Sequence, residues 1–142
     1  RIERVRELDG VTWYNASIAS SPSRTIAGLR SFQQKVILIA GGYDKHIPYD
    51  VLGPEICRHV KRLIVTGATG EKIRQAVLAA PEYREGQPEI LSITEFDQAV
   101  LEAARGAEPG DVVLLSPASA AFDRFRNFMV RGQHFKELVR SL

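Results

Sequence analysis

The sequence predicts an α/β fold: a mostly parallel sheet with helices on both faces and a hairpin strand at the amino terminus. Three observations carry that prediction. Val36-Ile37-Leu38-Ile39-Ala40, Leu63-Ile64-Val65 and Val112-Val113-Leu114-Leu115 are apolar on every residue, as strands covered on both faces should be. Glycine or proline closes each run: Gly41-Gly42, Gly67, and Ser116-Pro117. Between the runs lie stretches of helical character, and strands alternating with helices build a parallel sheet wrapped on both sides.

The elements follow in order. Arg1 to Leu8 and Val11 to Asn15 flank Asp9-Gly10, a dipeptide suited to the positive φ angles of a tight hairpin turn. Ser21-Pro22-Ser23 offers a cap hydroxyl and then a proline whose missing N–H matters little at a helix start. That helix is expected to reach about Phe32, with Ile26, Leu29 and Phe32 on its buried side. Further helices are expected over 51–60, 70–80, 95–105 and 127–142. In the 70–80 stretch, Ile73, Ala76, Val77 and Ala80 fall on one face, the helical period. A weaker strand is expected over 89–93, and Pro81 to Pro88 reads as a surface loop.

The chain has 142 residues, 44% hydrophobic and 25% charged, with a formal charge of +2. That is the size and composition of one globular domain, 1–142. Interspersed charges give no basic stripe for a nucleic-acid partner. The single cysteine, Cys57, has no disulfide partner within the chain and no neighbours spaced for a metal. No apolar run approaches the ~20 residues that span a bilayer, so neither membrane association nor metal binding is expected. The opening RIERVRELDG is not a signal peptide. A cytoplasmic chain beginning inside a longer polypeptide is the expectation.

In an open parallel sheet, ligands bind off the carboxyl ends of the strands. The Gly41-Gly42 loop has no side chain to keep a ligand from its backbone, and Asp44 and Lys45 follow at once. Lysine is a point charge suited to phosphate or carboxylate. The plainer reading is a relaxed strand end with two solvated charges. Thr66-Gly67-Ala68-Thr69-Gly70 resembles a dinucleotide fingerprint, but Ile73 replaces its third glycine, which favours an ordinary turn into a capped helix. His59 and His134 read as surface residues on helices, and only His46 lies beside a candidate loop. Phe122, Phe125 and Phe128, in FDRFRNF, read either as a short helix packing its aromatic face or as an aromatic edge where a small ligand rests. No P-loop, no Ser/His/Asp set and no carboxylate pair can be assembled. The chain alone does not read as a complete enzyme.

Three stretches together resemble a known family: DGVTWYNASIASSPSRTIAGLRSF, KVILIAGGYDKHIPYD and GDVVLLSPASAAFDRFRNFMVRGQHFKELV. They are similar to the carboxy-terminal domain of Mur-type peptidoglycan ligases, and within these to the UDP-N-acetylmuramoyl-L-alanine:D-glutamate ligases. The closing stretch is the most specific, and the likeness covers nearly the whole chain. It implies a Rossmann-like, amino-acid-binding domain of a cytoplasmic ligase. The UDP-sugar would lie on an upstream domain, and ATP and Mg2+ on an upstream P-loop domain. Expected partners are D-glutamate, UDP-N-acetylmuramoyl-L-alanine and ATP. By position in the motifs, Lys45 would support the chemistry at the phosphates. Ser20, Lys45, Ala121, Phe122 and Phe128 would bind substrate, and Asn15, Ser17 and Asp44 would face the nucleotide.

Three departures bear on that expectation. Ala16 stands where the family has an acid facing the nucleotide. Ile18 replaces a lysine that many members pair with the glutamate carboxylate. Ala121 replaces a serine. Either Arg24 or a backbone N–H makes up the lost contacts, or the amino acid differs. The other readings are a sister ligase domain using another amino acid, and a stand-alone nucleotide-binding module built on the two glycine loops.

Overall fold

In the computed structural model, which describes residues 1–142, the chain runs β1 (Glu3–Leu8), β2 (Val11–Asn15), α1 (Pro22–Leu29), β3 (Val36–Ala40), α2 (Leu52–His59), β4 (Val60–Val65), α3 (Gly70–Ala79), β5 (Glu89–Ser92), α4 (Phe96–Gly106), β6 (Val112–Leu115) and α5 (Phe128–Arg140). The strands form one six-stranded sheet in the order β1-β2-β6-β3-β4-β5. Only the β1–β2 pair is antiparallel. Asp9 and Gly10 both have positive φ, 53° and 82°, the geometry a two-residue hairpin turn needs.

The apolar runs become strands because both their faces are covered. Side chains alternate along a strand, and so do their partners here. Val36, Leu38 and Ala40 join a cluster with Leu29 of α1, Ile56 of α2 and Val77 of α3. Ile37 and Ile39 join another with Val100 of α4 and Phe135 and Val139 of α5. Leu114 faces the first cluster, Val113 and Leu115 the second. The connections leaving β2, β3 and β4 therefore lie on one face, and those leaving β5 and β6 on the other. Their loops diverge around the carboxyl end of β6, where ligands bind in folds of this kind.

Several expected boundaries move. Strand β4 opens at Val60 and includes Lys61 and Arg62. Arg62 is buried yet pairs with Glu89 at 3.2 Å and Glu102 at 3.0 Å, so a charge sits inside a strand without standing alone. Helix α1 ends at Leu29, and the Ser21 hydroxyl meets Ser23 Oγ at 3.3 Å instead of capping the helix. Thr69 stands at the start of α3 but caps nothing, its hydroxyl being taken elsewhere. FDRFRNF forms no helix: 122–127 is a chain of turns and bends, closed by Asn127, whose Oδ1 accepts from Val130 N–H at 2.9 Å and caps α5. His59 and His134 lie at the surface as expected, though half-buried. His59 lies 3.5 Å from Glu55, and His134 bonds Asp97 at 2.8 Å.

Candidate functional site

The loops beyond β3 and β4 touch backbone to backbone. Gly41 has φ +116°, and a Cβ there would fall on the Thr66 carbonyl; one on Gly67 would lie 2.9 Å from Gly42 Cα. The glycines admit the neighbouring loop, not a ligand, and their donors are already engaged. Gly41 N–H donates to Pro117 O at 2.8 Å, Gly67 N–H to Thr94 O at 3.3 Å, and Gly42 N–H to the Thr69 hydroxyl at 2.9 Å. The expectation that the Gly41-Gly42 backbone is open to a ligand is corrected on this ground.

A buried hydroxyl chain continues from that last bond. Thr69 Oγ1 lies 2.7 Å from Ser119 Oγ, which lies 2.8 Å from Tyr49 OH. Thr69 and Ser119 are wholly buried and Tyr49 nearly so. Three segments, following β3, β4 and β6, are thereby tied together with their polar groups satisfied, as burial requires.

Arg131, near the start of α5, is only 2% exposed. Its Nε donates to Ser17 Oγ at 2.8 Å and its Nη2 to Ser17 O at 2.7 Å. Ser17 Oγ in turn donates to Phe128 O at 2.7 Å. Nη1 has no partner. Burial lowers this guanidinium from its ordinary range to about 10, with Asp123 working against the shift, so it stays charged at neutral pH. Next along the helix, a Cβ on Gly132 would lie 2.9 Å from Asn15 Nδ2 and 3.2 Å from Ser17 Cβ. The helix start thus docks closely on the loop after β2.

Among the residues the sequence singled out, Asn15, Ser17 and Phe128 line one cleft of about 630 Å3, with Ile18, Arg1, Arg4 and Lys136. Asn15 Oδ1 accepts from Ser17 N–H at 3.0 Å and its Nδ2 donates to Glu3 at 3.2 Å. Ser20 is half-buried, its hydroxyl on Ile18 O at 3.3 Å. Ala121 is buried, and its carbonyl accepts from Arg124 and Phe125 N–H at 3.1 and 2.8 Å. Phe122 is 62% exposed and meets Tyr43 edge-on, ring centres 5.8 Å apart. Phe125 packs instead on Phe96, at 5.3 Å. Lys45 and Asp44 lie outside the cleft. Lys45 is exposed, while Asp44 is held by Lys72, at 2.6 Å, and by His46 N–H. Those bonds, the Lys72 one first, keep its carboxyl below the usual range. Arg24 shares a neighbouring cleft with Ile18 and Ser116.

Sequence reasoning missed Arg131 and Tyr49, and it had Thr69 and Ser119 only as members of candidate loops, not as a bonded pair. Arg131 left a signal. Arg131, Phe135 and Val139 recur at helical spacing, so a charge falls on a buried stripe, where it needs a dedicated partner. No three His, Cys, Asp or Glu side chains gather to hold a metal ion.

A family model described as "Mur ligase, glutamate ligase domain" matches residues 1–119. UDP-N-acetylmuramoylalanine–D-glutamate ligase of Acetivibrio thermocellus is 57% identical over the whole of this chain and 31% of its own length. Its namesake in Clostridium novyi is 51% identical over the same shares. The chain therefore spans about a third of the curated relatives it matches, and they extend the likeness through the closing stretch beyond residue 119. Among solved structures, murein peptide ligase of Psychrobacter arcticus superposes with a TM-score of 0.62 at 13% identity, covering 99% of this chain and 30% of that one. A single ligase domain from Haemophilus ducreyi gives 0.60 at 13%, covering 100% of this chain and 96% of that one. At that identity the likeness is one of fold. The sequence matches say more: this chain belongs to the Mur ligase family, as a glutamate ligase domain.

Proposed function

We propose that this chain is the carboxy-terminal, amino-acid-binding domain of a cytoplasmic ATP-dependent ligase that joins D-glutamate to UDP-N-acetylmuramoyl-L-alanine in peptidoglycan precursor synthesis. One observation carries the reading: the chain matches relatives bearing that name from end to end, at 57% identity for one of them. In this reading the nucleotide substrate's carboxylate is phosphorylated by ATP. The amine of D-glutamate then attacks the acyl phosphate, and phosphate leaves as the amide forms. ATP, Mg2+ and the UDP-sugar belong to upstream domains. Within this chain the glycine-loop N–H groups are internally bonded, which supports placing the nucleotide's phosphates on another domain.

The chain's share of the work is to hold the amine in line, a proximity effect, and to place positive charge where negative charge collects. Lys45 is suited to the second role because it is exposed at the carboxyl edge while its neighbour Asp44 is already neutralised by Lys72. Ser20, Ala121, Phe122 and Phe128 are assigned to the amino acid, and Asn15, Ser17 and Asp44 to the nucleotide side. Two positions favour a second reading, a sister ligase with another amino acid. Ile18 and Ala121 offer no side-chain polar group, and a charge-assisted bond contributes about 1.5–3 kcal/mol. Arg24, which lines a cleft with Ile18 and Arg1, is a cation suited to compensate.

The test is phosphate release by the full-length protein with ATP, Mg2+ and UDP-N-acetylmuramoyl-L-alanine, run against a panel of amino acids. D-glutamate dependence is expected. Turnover with a different amino acid would establish the second reading, and an upstream sequence without a GKT/S-type loop would remove both.

A further inference from the structure

Arg131 is built for more than stability. A buried guanidinium kept only to hold the fold would have its N–H groups satisfied. Here Nε and Nη2 grip Ser17 while Nη1 is left without a partner, beside the Gly42 backbone, where a Cβ would lie 3.2 Å from it. A space of about 10 Å3 remains there, lined by Gly41, Gly42, Gly67, Asp123 and Arg131 among others, room for about one water. Arg131 therefore reaches the loop after β2 and the loop after β3 at once, from a helix that begins after the loop of β6. Through Ser17 it also fixes the Phe128 carbonyl, at 2.7 Å. Two of the segments that carry proposed substrate contacts, the loop after β2 and the start of α5, are thus joined through this one side chain.

We propose that Arg131, acting through Ser17, is the positioning residue of the amino-acid site: it sets the distance between the 15–20 loop, which carries Ser20, and Phe128 at the head of α5. The inference rests on the amino-acid-binding reading above. Arg131 does not touch the substrate. Its guanidinium plane presents two parallel donors to one serine, a fork that a lysine ammonium cannot reproduce. Removing it lets the loop and helix start drift apart without emptying the site of any contact residue. A misplacement of about 1 Å reduces catalysis by roughly 100-fold.

The test is steady-state kinetics of the full-length enzyme carrying Arg131→Met, Arg131→Lys or Ser17→Ala, with thermal midpoints measured alongside. A merely structural role lowers kcat in proportion to the folded fraction and leaves KM alone. Positioning raises the KM for D-glutamate and lowers kcat/KM for it, and a fall in kcat/KM of about 10- to 100-fold is expected in Arg131→Met, in the same direction in Ser17→Ala, with Arg131→Lys failing to restore it. If the methionine variant does not fold, the other two decide. Unchanged KM in the folded variants overturns the proposal. Wild-type enzyme that ignores D-glutamate but uses another amino acid defeats the substrate assignment alone, and the variants are then read with that amino acid. Wild-type enzyme that uses none overturns both.

Discussion

At the scale of single residues, the buried charges Glu55, Arg62 and Asp111 each have an opposite charge alongside, and Glu55 is the clearest case. It is 7% exposed and accepts from Arg30 Nε and Nη2 at 3.1 and 2.7 Å and from Arg58 at 2.9 Å. The Arg30 bonds, first among the causes, hold its carboxyl below the ordinary value of 4.5. A folded-state value below the unfolded one means stabilisation that is full above the unfolded value. It is lost as pH falls through the folded one. Glu55→Gln should therefore lower the thermal midpoint by about 3 °C at pH 7. The gap to wild type should stay level from neutral pH down and close only below about pH 4.5, the ordinary carboxyl range. A gap that persisted unchanged into strong acid would show that packing, not ionisation, is what Glu55 contributes.

At the scale of elements, the buried hydroxyl chain decides how the site loops sit. Thr69→Val keeps the shape but leaves Gly42 N–H without its acceptor, at a cost of about 1–3 kcal/mol for an unsatisfied buried donor. Tyr49→Phe removes only the far end, and about 1 kcal/mol is expected. Because both act through Ser119, the double variant should lose less than the sum, and denaturant unfolding of the four proteins measures the shortfall. These elements also divide what the sequence reveals from what it hides. The strands were legible because apolar runs such as Val36 to Ala40 record double-sided burial residue by residue. The start of β4 was not, because Lys61 and Arg62 look like helix surface until Glu89, Glu102 and Asp111 are brought alongside. The candidate loops follow from the rule that strands end in binding loops, and the family likeness suggests their roles. The bonds that hold those loops join residues far apart in the chain, Ser17 with Arg131 and Tyr49 with Ser119, and no local pattern records them. The glycines misled for a related reason: a glycine needed by a neighbouring backbone and one needed by a ligand are written the same way.

At the scale of the whole molecule, the two core clusters share their strands. Ile37 and Ile39 face one cluster while Leu38 faces the other, so neither layer of helices can come away without exposing the sheet between them. The 142 residues should therefore unfold in one cooperative transition, with intrinsic fluorescence and far-ultraviolet dichroism coincident. Trp13, 2% exposed and packed 6.2 Å from Phe135, reports directly on the α4–α5 side. The same fragment separates the ligase-domain reading from a stand-alone nucleotide-binding module. Phosphate recognition by glycine loops needs open backbone N–H groups, and those of Gly41, Gly42 and Gly67 donate to Pro117, Thr69 and Thr94. Opening them would break the contacts that keep the β3 and β4 loops together. Titrating the folded fragment with ATP or NAD to about 1 mM, an affinity scale of only about 4 kcal/mol, should give no heat and no rise in thermal midpoint. A saturable signal in that range would mean that the loops open for a nucleotide, and would favour the module over the ligase domain.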